Sequence, residues 1–560
     1  MKTVSKTISK ALACLLLVTL LASCGGPSAT PPPVTPSTLP AVVTPTPAPE
    51  EPAGGGPVSI TVEIFDRSND GGSKPEDNFY TDFIKEGVLR DHNIEVTFVP
   101  VPRWTEVEQL NNLLAAGDAP DICVTYSYPT IQTYANMGAV LDMAPYLEDN
   151  KAQLPNLWGL LGETNIYWDK DPETGEIWAI EALLRHNPRI GTFVRQDWLT
   201  KLNIAEPTTL EEFEAMLYAF KENAETLLGA DADKIIPFST SYDVGWRADH
   251  LMTMFVADDI TDKDVYINGF DDRHFLLPGI KEGIRVLNKW YNDGLTWNDF
   301  PLYGSGDTTE DNLIKSGYVG SFMHNWDYPY RNGEEGIHHQ LRAIAGEDAV
   351  YTSVEPFKNA AGVYRKFLPG PIDRKVFLPA TNDEPVASML YLDWLSTVEN
   401  RKFLQIGEEG VTHEVLEDGA IKTVAVTGEK IMNSPNNIDY TIIINGLDLG
   451  DPELTMDSYA YNYSGVDASL VQKGYEISIN DGRIGKNVQV GQITAEEGMG
   501  PVLTEKRDIV LDQAVIAPVD QFDAVFDAGM QDYLASGGQA IIDERTAAWE
   551  KVFGDAVSLD

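Results

Sequence analysis

Ser59-Ile60-Thr61-Val62-Glu63-Ile64-Phe65 alternates polar and apolar residues with period two, the pattern of a strand with one face buried. Working outward, Asp77 to Arg90 repeats its apolar residues at helical spacing, and Ile94 to Val101 returns to a β-rich run. A helix over Trp104 to Ala116 and a short apolar strand over Ile122 to Thr125 complete a βαβαβ order. Parallel neighbours need long crossovers, so this order predicts an α/β fold with a parallel sheet covered by helices. Sheets of that kind bind ligands beyond the carboxyl ends of their strands.

Further along, Thr209-Leu210-Glu211-Glu212 has the spacing of a capping box, and Leu210, Phe213, Met216, Leu217 and Phe220 follow on one helical face. Ile280, Ile284, Leu287 and Tyr291 mark another helix, with Gly294 as a left-handed stop. Pro385 opens a third, where its missing N–H costs little. No repeat of solenoid length and no apolar run long enough to span a bilayer interrupts the chain.

The 560 residues, 43% hydrophobic and 23% charged, can bury a large core as roughly two to four domains or one bilobed unit. The 41 basic residues against 86 acidic ones give a net charge of -45, a field that repels phosphate backbones and excludes nucleic acid as a partner. Three cysteines cannot build a disulfide scaffold.

Lys2, Lys6 and Lys10 precede the apolar run Ala11 to Leu21, a pattern of export and not of membrane spanning. The run ends in Leu21-Ala22-Ser23-Cys24-Gly25, which resembles the bacterial lipobox. That resemblance implies removal of residues 1–23, a lipid on Cys24, and a place on the outer face of the cell membrane. Cleavage takes three lysines away, so the charge becomes -48. Residues 24–57 then form the lipidated cysteine and a Pro/Thr-rich linker holding eleven prolines, which at about 3.1 Å per residue reaches on the order of 100 Å. Cys123, in an apolar run, reads as a small core residue and not as a nucleophile.

Several spaced segments carry a family likeness. Asn111-Asn112-Leu113-Leu114-Ala115-Ala116-Gly117-Asp118-Ala119-Pro120-Asp121-Ile122 joins a helix, a Gly-Asp turn and a Pro-Asp-Ile strand entry. Arg195-Gln196-Asp197-Trp198-Leu199, Leu202-Asn203-Ile204 and Pro207 to Phe213 form the most specific match, with Tyr291 to Leu295 and Gly407 to His413 adding to it. Over most of residues 58–415 the chain resembles the extracellular solute-binding proteins of ABC importers, family 1, oligosaccharide-binding type. The resemblance implies a periplasmic-binding-protein type II fold: two α/β lobes with a hinge and a ligand cleft between them. It places one crossing near Ala179 to Ala182 and the return near Tyr351 to Phe357. The N-terminal lobe is then 58–180 plus 352–406, and the C-terminal lobe 181–351 plus 407–560. Some relatives carry a calcium loop where this chain has Gly229 to Phe238, but two carboxylates and a lysine do not supply the six to eight oxygens calcium takes, so no metal is expected.

A sugar needs planar aromatics for its faces and fixed polar groups for its rim. Trp326 follows the strand-like Gly320 to Met323 where the family often places a stacking tryptophan; the alternative is a core tryptophan. Tyr126 and Tyr128 follow the Ile122–Thr125 strand, with loop packing as the alternative. Glu181 lies in the crossing and matches a carboxylate that contacts sugar in relatives. Trp246, Arg247, Asp66, Arg67 and Trp104 complete the ligand-binding candidates, with a surface role as their alternative. No HExxH, GxSxG, GxxxxGK[ST] or CxxC pattern is present, so no catalytic residue, enzyme activity or cofactor is expected.

The expected partners are an oligosaccharide, ABC permease subunits and the membrane through the lipid, with the protein itself a monomer. Two other readings stand beside this one: a peptide-binding lipoprotein of an importer, and a surface glycoside hydrolase, which needs two carboxyls about 5–9.5 Å apart.

Overall fold

The alternating stretch that opens the globular chain is strand β1 (Val58–Asp66), and β2 (Ile94–Pro102) lies parallel to it in register from Val58 against Ile94 to Asp66 against Pro102. Between them runs the helix Phe79–His92, capped by Asn78, whose side chain accepts from the Tyr80 and Thr81 N–H groups. The computed structural model describes residues 56–67, 74–171, 174–185, 188–241, 243–304, 307–426 and 428–559. Residues 1–55, with the expected export segment, Cys24 and most of the expected linker, lie outside them.

The remaining strands are β3 (Cys123–Thr125), β4 (Ile180–Leu184), β5 (Ile190–Arg195), β6 (Ile236–Ser239), β7 (Val319–Asn325), β8 (Tyr351–Val354), β9 (Lys366–Leu368), β10 (Ile372–Phe377), β11 (His413–Val415), β12 (Ile421–Thr423), β13 (Ile444–Asn445) and β14 (Gly482–Ile484). A bridge between Val62 and Ile122 sets β3 beside β1. The first sheet therefore reads β2-β1-β3-β10-β4-β13, with β10 antiparallel to both its neighbours. The second reads β6-β7-β5-β8, with β6 and β7 parallel. Each sheet has its own core. Val62, Ile64, Leu157, Tyr391 and Trp394 pack in the first; Trp198, Phe213, Phe220, Trp290 and Phe322 pack in the second.

Local chemistry explains the segments that carried the family likeness. Gly117 ends the helix Glu106–Ala116 at φ 74°, its N–H bonded to the Leu113 and Leu114 carbonyls. Arg195 and Asp197 form a buried bidentate pair at 2.8 and 2.9 Å, and Arg195 also holds the Gly317 carbonyl, so both residues are structural. Trp198 packs edge to face on Phe220 over Gly320, where a Cβ would come within 2.7 Å of the Phe220 ring.

Three local expectations shift. Arg103–Thr105 is a 3-10 turn, so the α-helix begins at Glu106 and not at Trp104. Ile122 joins its strand only through the bridge to Val62. Thr209 caps the helix Leu210–Glu222 by accepting from the Glu212 N–H. The Glu212 carboxylate turns instead to the Thr208 N–H and hydroxyl, so the box is one-sided.

The chain leaves the first sheet at Leu184 and enters the second at Ile190; it leaves the second at Val354 and re-enters the first at Ile372. Residues 407–560 contribute to both halves. Tyr440, Ile442 and Ile443 sit in the first core and β13 covers the open edge of β4, whereas Leu503, Leu511, Phe522 and Tyr533 pack in the second core. Asn288 ties the helix Gly500–Ile516 to that core by donating to the Ala514, Val515 and Ala517 carbonyls. Among the described residues no helix is long and apolar enough to cross a membrane.

Candidate functional site

The carboxyl ends of β1, β2 and β3 bring Asp66-Arg67, Arg103-Trp104 and Tyr126-Ser127-Tyr128 together. Tyr126 lies nearly parallel to Phe65 at 6.0 Å between ring centroids, and the Arg103 guanidinium stands 3.9 Å from the Tyr126 centroid and 5.4 Å from that of Trp104. Trp104 is 71% exposed. Arg67 grips Asp439 with two bonds of 2.7 and 2.8 Å. Glu106 accepts from the Thr125 hydroxyl and the Tyr126 N–H, faces Arg103 at 3.5 Å, and is pushed up in pKa by its burial. Glu63, accepting from the Val124 N–H, is buried and raised for the same reason.

Glu181, from β4, stands opposite Lys375 of β10, with 3.4 Å between charges. It is 1% exposed, so it belongs to the sheet and not to its surface. Burial drives the Glu181 carboxyl well above the usual range, and the neighbouring Asp169 adds to the shift; Lys375 opposes it. Burial also raises Asp169. The Tyr128 hydroxyl donates to the Asp169 carbonyl at 3.0 Å, joining this cluster to the strand-end face.

On the second sheet the same end is formed by the start of β5 and the ends of β6, β7 and β8. Asp243 caps the short helix Val244–Arg247 and sets Trp246, whose ring centroid has the guanidinium carbons of Arg189 at 4.7 Å and Arg273 at 4.4 Å. Arg273 is held in turn by Asp243 at 2.6 Å. Arg247 is buried and paired with Glu310 at 2.9 Å, and Glu310 also accepts from the Ser239 hydroxyl. Trp326 is 3% exposed; Tyr459, Tyr463 and Tyr475 meet it edge to face at 6.3, 6.3 and 5.4 Å. Its backbone N–H donates to the Arg189 carbonyl.

Asp66, Arg67, Trp104 and Tyr126 thus share one face, Tyr128 and Glu181 meet through Asp169, and Trp246, Arg247 and Trp326 belong to the opposite sheet. Sequence reading did not name Arg103, Asp169, Arg189, Arg273 or Lys375, which organise the candidates; no local pattern marks them. It also missed the segment after β14. That strand pairs with β9, whose Phe367 packs in the second core. Asn487 and Gln489 then donate to the Trp168 carbonyl, Gln489 also to that of Tyr167, and Gln492 accepts from Asn136 at 2.9 Å.

In the stretch weighed for calcium, Asp231 is engaged by Lys234 at 2.8 Å. Cys123 is buried and its thiol is pushed up by burial. A groove of about 540 Å³ lies between the helices Gly500–Ile516 and Phe522–Tyr533, and none of the candidate residues lines it.

Two α/β halves, each with its own core and linked by chain segments that cross between them, define the periplasmic-binding-protein type of fold. The profile of the family described as bacterial extracellular solute-binding protein matches residues 82–417, and the chain belongs to that family. Two curated proteins of Bacillus subtilis (strain 168) are similar. The polygalacturonan/rhamnogalacturonan-binding protein YtcQ is 24% identical over 239 residues, 42% of this chain and 44% of YtcQ. Lipoprotein LipO is 25% identical over 215 residues, 38% of this chain and 40% of LipO. The chain therefore matches less than half the length of either. Among solved structures, the alginate-binding protein AlgQ2 superposes with a TM-score of 0.63 at 16% identity, covering 89% of this chain and 99% of that one. The Streptococcus pneumoniae ABC-transporter substrate-binding protein FusA gives 0.62 at 13%, covering 89% and 100%. These likenesses establish the fold.

Proposed function

We propose that the protein captures an oligosaccharide between its two lobes and hands it to an ABC importer, held at the cell membrane by a lipid on Cys24. The supporting observation is the strand-end face of the first sheet, where the exposed Trp104 and the Arg103-clamped Tyr126 offer flat rings to a sugar. Trp246 offers another ring from the opposite sheet. Trp104, Tyr126, Tyr128 and Trp246 are the contact residues in this reading, with Asp66 and Arg67 at their edge. Glu181, Arg247 and Trp326, all buried, hold the two walls in place.

The relatives agree with this reading as far as their names go: YtcQ is described as binding polygalacturonan/rhamnogalacturonan, AlgQ2 as binding alginate, and FusA was solved with fructo-nystose. Closure works because a ligand touching both lobes favours the closed arrangement by its extra contacts there. The lobes take 58–184 with residues 372–404 and 440–445, and 190–354 with the C-terminal helices. The hinge lies at the crossings after Leu184 and after Val354.

Calorimetric titration and melting curves over panels of oligosaccharides and peptides test the reading. A saccharide at 100 times its Kd should stabilise the protein by about 2.7 kcal/mol. A response to peptides alone would replace the glycan by a peptide, and glycan turnover abolished by one carboxylate change would replace capture by hydrolysis. Fatty-acid labelling that disappears in Cys24→Ala tests the anchor.

A further inference from the structure

We infer that Arg103 reads the carboxylate of a uronic acid on the glycan that lies against Trp104, so that the site takes acidic oligosaccharides in preference to neutral ones. This rests on the reading of the strand-end face as a glycan site.

A guanidinium offers five N–H donors in a planar fork that matches a carboxylate. Elsewhere in the protein such forks are closed. Arg67 grips Asp439 at 2.7 and 2.8 Å, Arg195 grips Asp197 at 2.8 and 2.9 Å, and Arg247 bonds Glu310 at 2.9 Å. Arg103 differs. Its Nε is buried and has no hydrogen-bond partner, and its Nη1 stands 3.5 Å from Glu106 Oε2, an oxygen that is buried and without a hydrogen bond as well.

Ring faces hold the Arg103 guanidinium instead. Its central carbon lies 3.9 Å from the Tyr126 centroid, 5.3 Å from that of Phe65 and 5.4 Å from that of Trp104. Stacking of this kind attracts the charge and fixes the plane of the fork, yet it leaves the N–H groups open. Glu106 is a weak counter-charge: its Oε1 takes the Thr125 hydroxyl and the Tyr126 N–H, and burial shifts its carboxyl toward the neutral form. The Arg103 side chain remains 20% exposed, so an incoming group can reach it.

Trp104 is the next residue on the same 3-10 turn. A uronic acid carries its carboxylate one bond from the sugar ring, so a flat indole for the C–H face and a fork beside it suit a single unit of the glycan. The second wall repeats the pairing. Arg189 lies against the Trp246 ring at 4.7 Å, donates to the Asp272 carbonyl and is 4.0 Å from the Asp272 carboxylate. The charge of -45 on the whole chain opposes an acidic ligand only weakly at this range, because salt screens charges beyond about 8 Å at physiological ionic strength.

The test is calorimetric titration of the purified full chain with oligogalacturonates, oligoalginates and glucuronate-substituted xylo-oligosaccharides of three to six units, with their methyl esters, and with neutral malto- and xylo-oligosaccharides, at low and high salt. The expected result is one acidic series bound about 10- to 100-fold tighter than its own ester, with the gap narrowing as salt rises. Arg103→Gln should bring the acid-to-ester ratio to within about 3-fold, and Arg103→Lys, which keeps the charge and loses the fork, should retain part of it. The acid-against-ester comparison on the parent needs no variant. Esters or neutral sugars bound as tightly as any acid, or an acid preference that Arg103→Gln leaves intact, overturn the inference while the glycan reading stands. Binding of peptides with no saccharide of any kind removes the glycan reading and this inference with it.

Discussion

Trp104 and Trp326 both follow a strand of their sheet, yet one is 71% exposed beside a guanidinium and the other is 3% exposed inside three tyrosine rings. The difference comes from what packs against each end. The first sheet's end is covered by its own neighbours, Phe65, Arg103 and Tyr126. The second sheet's end is roofed by the C-terminal segment, which carries Tyr459, Tyr463 and Tyr475 in from more than 130 residues away. A strand end is therefore left open to solvent only where no later segment covers it.

The largest effect expected from this contrast is on stability. Trp326→Ala should cost about 3–5 kcal/mol in denaturant unfolding, since it empties a packed cage. Loss of ligand affinity at unchanged stability would reverse the roles of the two tryptophans. Next, Arg247→Leu leaves Glu310 buried without its cation and should destabilise by about 3 kcal/mol, with Glu310→Leu in the same chain recovering part of the loss. Trp104→Ala should do the opposite of the Trp326 change: about 1–3 kcal/mol of ligand affinity lost by calorimetry, and stability within about 0.5 kcal/mol of the parent.

The last effect is one of pH and concerns Asp512, on the helix behind the Trp246 wall. Burial, aided by Asp508 and Asp243, pushes its carboxyl up from 3.8 to about 7. The folded chain then keeps a proton that the unfolded chain releases, so this group's contribution to stability falls as pH rises from about 4 to about 7. Asp512→Asn cannot lose that proton, and its melting temperature relative to the parent should climb through the same window. A difference that stays constant with pH would show that Asp512 titrates normally.

What was legible in the sequence is what local chemistry decides. The alternation of Ser59 to Phe65, the Gly117 stop and the Pro385 start all appear where the pattern puts them, because strand faces and helix caps depend on residues a few positions away. Gly294, with φ 67°, likewise follows the helix Ile280–Asn292. The family likeness of Arg195 to Phe213 was legible too, and it reflects a buried ion pair and an aromatic core rather than the site itself. The rest depends on partners far along the chain. Nothing near Gly482 announces that β14 will pair with Lys366 to Leu368, and nothing near Ile444 announces that it will edge β4. Trp326 could be placed just after its strand from sequence, whereas Glu181, expected in a crossing between the lobes, lies inside β4 of the first sheet. Their burial could not, because it is produced by Asp169, Lys375 and the three tyrosines.

Small-angle scattering of the purified protein, with and without the oligosaccharide that binds best, addresses the central claim most directly. Closure of two lobes around a ligand predicts a smaller radius of gyration in its presence, and Trp104→Ala should need more sugar to reach it. Superimposable curves at saturating sugar would contradict the account.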